Sequence, residues 1–322
     1  KIDLIYIDPP FNTNQIFTVE NGIQSKRVST ISRGISPHSA KNDVLIAYSD
    51  KMPLNEYIEF IRERLILLKE LLSDNGSFYF HIDNKMGHYI KIIMDEIFGV
   101  DNFKNDICRK KSNPKNFMRK AYGNQKDVIL FYVKNKNDNI FNNITIKLDE
   151  TDKLRNFKKI DKDGRRYNTV PVHAPGVTLN GKTGGRWRDM LPPPGRHFRT
   201  SPDKLDKLDE QGLIEWSKTG VPRIKKYADE HKGKKIQDIW NYIDPAYPLY
   251  PTEKNLNMLE MIILQSTNPE SIILDCFAGS GSTLLAAQNH GRKWIGIDQS
   301  LFSEKVIKNR FKEIDYNFIE II

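Results

Sequence analysis

The first eleven residues, Lys1-Ile-Asp-Leu-Ile-Tyr-Ile-Asp-Pro-Pro-Phe11, read as a buried β-strand that stops abruptly at a carboxylate. Two consecutive prolines have no backbone N–H and fix φ at about −65°, so the strand cannot continue past Asp8. Asp8 and Phe11 are thereby held in a stiff geometry at a strand end. In an open α/β sheet that is where ligands bind.

Such a strand needs neighbours, and the chain supplies them. Leu54, Tyr57, Ile58, Ile61, Leu65, Leu68, Leu71 and Leu72 follow helical spacing, closed by Gly76, and residues 77–82 follow as a strand. Met86, Tyr89, Ile90, Ile93, Met94 and Ile97 line a second helix ended by Gly99, and residues 128–133 form another strand. Strands alternating with helices imply an α/β fold with a doubly wound, mostly parallel sheet. His81 and Asp83, at a strand end, are candidates to line a site, although such a pair is also an ordinary structural feature.

Residues 12–50 are polar and without sustained periodicity, and we expect a long mobile loop there, placed to act as a lid after Phe11. The alternation breaks again over residues 135–245, which are rich in Lys, Arg, Gly and Pro and hold Trp187, Trp216 and Trp240. These tryptophans are expected in the small core of an inserted domain. Leu213-Ile-Glu-Trp216 and Pro222-Arg-Ile-Lys-Lys226 should pair as a short hairpin. The expected organisation is therefore a first half over 1–134, an insertion over 135–245 and a second half over 246–322.

In the second half, a helix carrying Leu256, Leu259, Ile262 and Ile263 precedes the strand 272–276. The turn Phe277-Ala-Gly-Ser-Gly-Ser282 opens the next helix, and the strand 294–297 ends at Asp298. Glycines at a strand-to-helix turn let a ligand approach the backbone, and an acidic residue about 20 positions on can accept bonds from ribose hydroxyls. A nicotinamide dinucleotide site is the natural competitor. Against it, Leu284 replaces the third glycine of that pattern, and no pyrophosphate partner is evident.

Charge is segregated. Residues 104–136 hold ten Lys/Arg against Asp106 and Asp127, and residues 151–235 hold 21 against 11 acids. The net +9 of the whole chain less the +18 of those two segments leaves −9 elsewhere. Segregated basic surface is the footprint expected for nucleic acid, while a solvated lysine-rich face is the plainer reading. Arg109, Lys110, Lys111, Lys115 and Arg119, interleaved with Phe117 and Tyr122, form one candidate phosphate-contacting loop. Lys182, Arg186, Arg188 and Arg196 mark contact loops of the insertion. No run of about 18 apolar residues is present, and the two cysteines, Cys108 and Cys276, indicate neither a disulfide framework nor a zinc site. No metal site and no membrane are expected, and the chain reads as soluble and intracellular.

The Asp-Pro-Pro-Phe stretch suits one chemistry. The lone pair of an exocyclic base amine is delocalised into its ring. A carboxylate and a proline-flanked carbonyl, accepting one N–H each, would pyramidalise the nitrogen towards an electrophile. An ordinary carboxylate, with pKa ~4, is too weak a base to deprotonate a neutral amine but accepts a proton once methylation makes the nitrogen cationic. Phe11 would stack on the extruded base. Taken alone, the same residues also fit an ordinary strand-ending Asp-Pro turn.

Asp8-Pro-Pro-Phe11, Pro251-Thr-x-Lys254 and Phe277-x-Gly-x-Gly281, in this order, resemble the amino-group DNA methyltransferases that use S-adenosylmethionine, in the beta group that includes bacterial restriction-modification enzymes. The resemblance implies a Rossmann-like methyltransferase with an inserted target recognition domain, acting on a flipped adenine N6 in double-stranded DNA. It makes Asp8, Pro9, Pro10 and Phe11 the target-amine site. Phe277, Gly279, Gly281 and Ser282 would line the cofactor, with Asp298 on its ribose and Asp8, Asp275 and Lys254 nearby. Phe11 stands where many members have Tyr, and Asn255 where Pro often follows the Lys. A homodimer and a restriction endonuclease partner are compatible with the resemblance. The alternatives are a cytosine-N4 methyltransferase, a NAD-dependent oxidoreductase and a non-catalytic DNA-binding subunit.

Overall fold

The computed structural model describes residues 1–12, 15–20, 24–28, 44–50, 52–114, 116, 118, 120–178, 181–250 and 253–320, and of the strands between 15 and 50 it describes the backbone. The chain divides into two compact units, Lys1–Ile144 with Gln237–Ile322, and Thr145–Ile236. The expected insertion boundaries were 135 and 245. The difference arises because residues 135–144 and the strand Ile239–Asn241 pack with the main unit.

The first unit is built on a seven-stranded sheet in the order Ile239–Asn241, Phe103–Lys110, Lys126–Val133, Leu72–Ile82, Ile2–Ile7, Ile272–Asp275, Lys293–Gly296. The strand Ile2–Ile7 runs parallel to both neighbours, with Ile5 opposite Phe78 on one side and Leu274 on the other. Only Lys126–Val133 is antiparallel to its neighbours, so the sheet is mostly parallel. From the centre the chain winds one way, to Leu72–Ile82, and in its last part the other way, to Lys293–Gly296. The carboxyl ends of Ile2–Ile7 and Ile272–Asp275 therefore flank the switch point where a doubly wound sheet opens a crevice.

Helix Leu54–Leu71 buries Tyr57, Ile61, Leu65 and Leu68, spaced by four, four and three residues on one face. It ends at Leu72, not at Gly76. Gly76 lies inside the following strand, where an added Cβ would come within 2.8 Å of the Leu72 side chain. Helix Gly87–Phe98 buries Ile90, Ile93, Met94 and Phe98 and is closed by Gly99 at φ 91°. These faces share a core with Ile5, Ile7, Phe78, Phe80 and Ile82 of the sheet.

The expectation of a structureless loop over 12–50 is corrected. Strands Gln15–Glu20, Gln24–Val28 and Val44–Asp50 form a three-stranded antiparallel sheet, and the Asn12 side chain accepts the Met52 amide at 3.1 Å at its base. Backbone pairing across the excursion supplies the order that side-chain periodicity did not advertise. Residues 29–43 of that stretch lie outside the described residues.

The second unit has a four-stranded antiparallel sheet, Ile214–Trp216, Pro222–Tyr227, Arg166–Pro171, Lys159–Ile160, whose first pair is the expected hairpin. Val172, Trp187, Phe198, Leu205, Ile214 and Ile224 form its core. Trp187 is central and donates to Asp206 at 2.9 Å, while Trp216 stacks on it from a more exposed position. Trp240 belongs to the first unit instead, on the edge strand paired with Phe103–Lys110. Among the described residues, no helix is long and apolar enough to cross a membrane.

Candidate active site

The two central strand ends bring together residues from opposite ends of the chain. Asp8 leaves Ile2–Ile7 with its side chain 15% exposed, and Lys254 donates to its Oδ2. Asp8 Oδ1 is buried and has no hydrogen-bond partner among the described residues. Desolvating a carboxylate oxygen without a partner is unfavourable, so this oxygen is free to accept a donor brought by water or a ligand. Lys254 Nζ also lies 5.5 Å from the centre of the Phe11 ring. The Tyr57 hydroxyl donates to the Pro10 carbonyl at 2.7 Å, which fixes the two-proline turn to the first helix. Tyr57 escaped the sequence reading because its spacing marked it only as part of an apolar stripe.

His81 lies behind Asp8, and the two candidates at that strand end separate in role. The His81 ring is fully buried, 6.0 Å from the Phe11 ring, with Nδ1 3.9 Å from Asp8 Oδ1. Asp83 accepts the amides of Lys85 and Met86 at 3.0 and 2.9 Å and so serves the start of the next helix.

The glycine turn lies beside this cluster in the sheet. Gly279 and Gly281 have φ of 50° and 73°, a region open mainly to glycine. A Cβ on Gly281 would also come within 2.9 Å of Ile307. Asp298 is exposed, and one of its oxygens accepts the Gly279 amide and the other the Ser300 amide, both at 2.8 Å. Ser303 donates to the Gly279 carbonyl at 2.6 Å. The Tyr250 ring, stacked on Phe302, lies where a Cβ on Gly279 would meet it at 3.4 Å. Phe277 is half-buried against Phe60.

Asp275 stands behind the turn. It is buried and accepts the Phe277 amide at 3.0 Å, and burial pushes its carboxyl pKa up to about 7. Ser282 is buried at the helix start, sharing a 2.8 Å bond with Ser280 and accepting from Arg310 at 3.0 Å, and Arg310 pairs with Glu253 at 2.5 Å. Pro251 and Thr252 lie outside the described residues. Burial also raises the Cys276 thiol to about 12, which makes it a poor nucleophile, and among the described residues no group of three His, Cys, Asp or Glu could hold a metal.

The basic candidates do not behave as one set. Arg109 is corrected: expected on phosphates, it is fully buried, donating to the Tyr242 carbonyl at 3.0 Å, pairing with Asp244, and 3.7 Å from Asp127. Its strand register turns it inward, which a run of charged letters does not reveal. Lys111 is half-buried on Asp127 at 2.5 Å, and Lys110 is half-buried. Lys115, Phe117 and Arg119 lie outside the described residues. In the second unit Lys182, Arg186 and Arg196 are exposed, whereas Arg188 pairs with Asp206 at 3.2 Å and Asp209 at 2.8 Å and lies against Trp187 and Trp216.

The chain is 42% identical to the type II methyltransferase M.EcaI of Enterobacter cloacae over 317 residues, 97% of this chain and 65% of that protein. It is 25% identical to the type III restriction-modification enzyme EcoP15I Mod subunit of Escherichia coli, over 91% of this chain and 53% of that one. The chain thus spans about half to two thirds of the length of these curated relatives. The crystal structure of an M1.HpyAVI–SAM complex aligns with a TM-score of 0.46 at 19% identity, covering 97% of this chain and 89% of that one. The DNA methylase family model, of the N6/N4 type, matches residues 2–309, and the chain belongs to that family.

Proposed function

We propose that this protein is a site-specific DNA methyltransferase that methylates the exocyclic N6 amine of an adenine flipped out of duplex DNA. The observation that carries the reading is Asp8 Oδ1, a buried carboxylate oxygen without a partner among the described residues, at the strand end beside the glycine turn. In this reading Asp8 Oδ1 accepts one amine N–H. A carbonyl of the two-proline turn, which Tyr57 fixes by donating to the Pro10 carbonyl, takes the other. Phe11 offers its ring face to the base. With both hydrogens held, the nitrogen lone pair is aimed, and catalysis is mainly positioning.

The turn fits S-adenosylmethionine: the positive φ of Gly279 and Gly281 keeps the backbone bare, Tyr250 closes one side, and exposed Asp298 offers acceptors for ribose hydroxyls. When bound, that cofactor supplies an electrophilic methyl group on a sulfonium. Asp275 and Ser282, both buried, serve the cofactor by bracing the turn. The proton of the methylated amine passes to Asp8, and no thiolate attack is needed.

The unit Thr145–Ile236 would read the target sequence, with Lys182, Arg186 and Arg196 supplying exposed cations. The relatives' names support a companion restriction endonuclease. A homodimer and a place at the bacterial nucleoid rest on the family resemblance alone. The carboxylate at position 8 favours adenine, since family members acting on cytosine N4 more often carry Ser there. Nucleoside digestion and mass spectrometry of DNA treated with the protein should show N6-methyl-2′-deoxyadenosine. N4-methyl-2′-deoxycytidine would redirect the base assignment, and no methylated nucleoside at all would overturn the function.

A further inference from the structure

Behind Asp8 runs a buried polar chain that methyl transfer, as described, does not use. The Tyr6 hydroxyl lies 2.7 Å from His81 Nδ1, and His81 Nε2 lies 3.3 Å from Asp127 Oδ2. Asp127 is bonded in turn to Lys111 and lies near Arg109, which continues to Asp244.

The chemistry of these partners fixes the histidine tautomer. Burial works against charge on Asp127, but hydrogen bonds from His81 and Lys111 hold its carboxyl well below the usual range. It is therefore an acceptor only, and Nε2 must carry the hydrogen. Burial also lowers the His81 pKa, so the ring rests neutral and Nδ1 is its bare nitrogen. Tyr6, pushed up by burial, keeps its proton and donates it to Nδ1. In the resting state the Nδ1 lone pair is thus taken by Tyr6, and Asp8 Oδ1, which has no hydrogen-bond partner among the described residues, lies 3.9 Å from the same nitrogen.

Resting on the amine-methylation reading, we propose that His81 is a positioning residue acting through Asp8, taking over the proton that Asp8 receives and restoring its carboxylate. Transfer forms the C–N bond and breaks the C–S bond, leaving a cationic amine. Its N–H proton passes to Asp8 Oδ1, and the nitrogen regains its lone pair. Protonated Asp8 no longer carries the charge that held Lys254. Turning towards His81, it closes the 3.9 Å gap to about 2.8 Å, the Tyr6 hydroxyl rotates off Nδ1, and the proton crosses. The imidazolium then lies between two carboxylates, Asp8 and Asp127, and the Lys254 ion pair is restored. The groups facing the ring are Tyr6 and Asp8 from the first strand, Asp127 from Lys126–Val133, and Lys254. Burial and Lys254 oppose the imidazolium, and both carboxylates favour it. The proton leaves to water when product departs.

The test combines turnover with nitrogen NMR. Methyl transfer from tritiated S-adenosylmethionine to unmethylated bacterial genomic DNA is followed across the acid range for wild type, His81→Gln and Tyr6→Phe. The wild-type rate should break downward at the pH where the His81 nitrogens titrate. His81→Gln should turn over ~10²-fold more slowly, without that break. Tyr6→Phe keeps the ring's shape, frees Nδ1 and should move the break to higher pH. A wild-type break that persists in His81→Gln would mean that His81 only packs, and would overturn the proposal. So would an Nδ1-protonated ring in active wild type, a measurement that needs no variant to fold. Wild type that methylates no DNA defeats the methyltransferase reading itself, whatever the tautomer.

Discussion

Lys254 Nζ is hydrogen-bonded to Asp8 Oδ2 across 246 residues of sequence, joining the proline-ended strand to the segment that precedes the glycine turn. Both side chains are largely buried, at 8% and 15% exposure, so neither charge is well solvated if its partner is removed. Lys254 is thus the structural partner of Asp8.

Lys254→Met should therefore destabilise the protein by about 3 kcal/mol, because it leaves Asp8 an uncompensated buried charge. The double variant with Asp8→Asn should recover most of that stability and no methyl transfer. Urea unfolding of the two single variants and the double variant measures the coupling. A strictly additive double variant would show that the ion pair carries no net interaction.

The two ends of the site should separate in binding and chemistry. Asp8→Asn keeps the side chain's shape and should lower methyl transfer at least ~10²-fold while leaving S-adenosylmethionine affinity within a few-fold. Asp298→Ala removes the acceptor for the Gly279 amide and for the ribose, and should weaken cofactor binding ~10-fold or more. Calorimetric titration beside a transfer assay distinguishes them, and equal loss of affinity in both variants would sink the division.

Arg109 and the exposed cations should part company in salt dependence. Arg109→Ala leaves Asp244 and Asp127 short of a partner and should cost roughly 3–5 kcal/mol in unfolding experiments, with the salt slope of DNA binding unchanged. Neutralising Arg186 and Arg196 should leave the melting temperature close to wild type. It should also flatten the slope of log affinity against log salt by about 0.9 for each phosphate that is no longer neutralised.

Asp275 predicts a pH dependence of stability. Its folded pKa is about 7, raised by burial above the usual carboxylate range of the unfolded chain. Between about pH 4 and pH 7 the unfolded carboxyl has therefore released its proton while the folded one has not. The unfolded state binds fewer protons there, and this group's contribution to stability falls as pH rises, by a few kcal/mol in all. Asp275→Asn can still accept the Phe277 amide, and it should remove that slope. Parallel slopes in wild-type and variant denaturation curves across this range would contradict the role given to burial.

The sequence by itself determined the strand that stops at Asp8, because two prolines are a local covalent constraint. It also determined the helix faces of Tyr57 and Ile90 and the glycine turn before Ser282, since helical periodicity and positive φ are likewise local. Only the tertiary structure decided what each charge does. Arg109 and Lys110 are neighbours in a basic run, yet strand alternation buries one against Asp244 and leaves the other half-buried. His81 and Asp83 share a strand end, yet one lies 3.9 Å from Asp8 and the other accepts the Lys85 and Met86 amides in the turn before the next helix. The strands Gln15–Glu20, Gln24–Val28 and Val44–Asp50 are joined by backbone pairing, to which side-chain patterns are blind. Periodicity reports the face a residue takes on its own element, whereas an ion pair across 246 positions depends on which strands lie side by side.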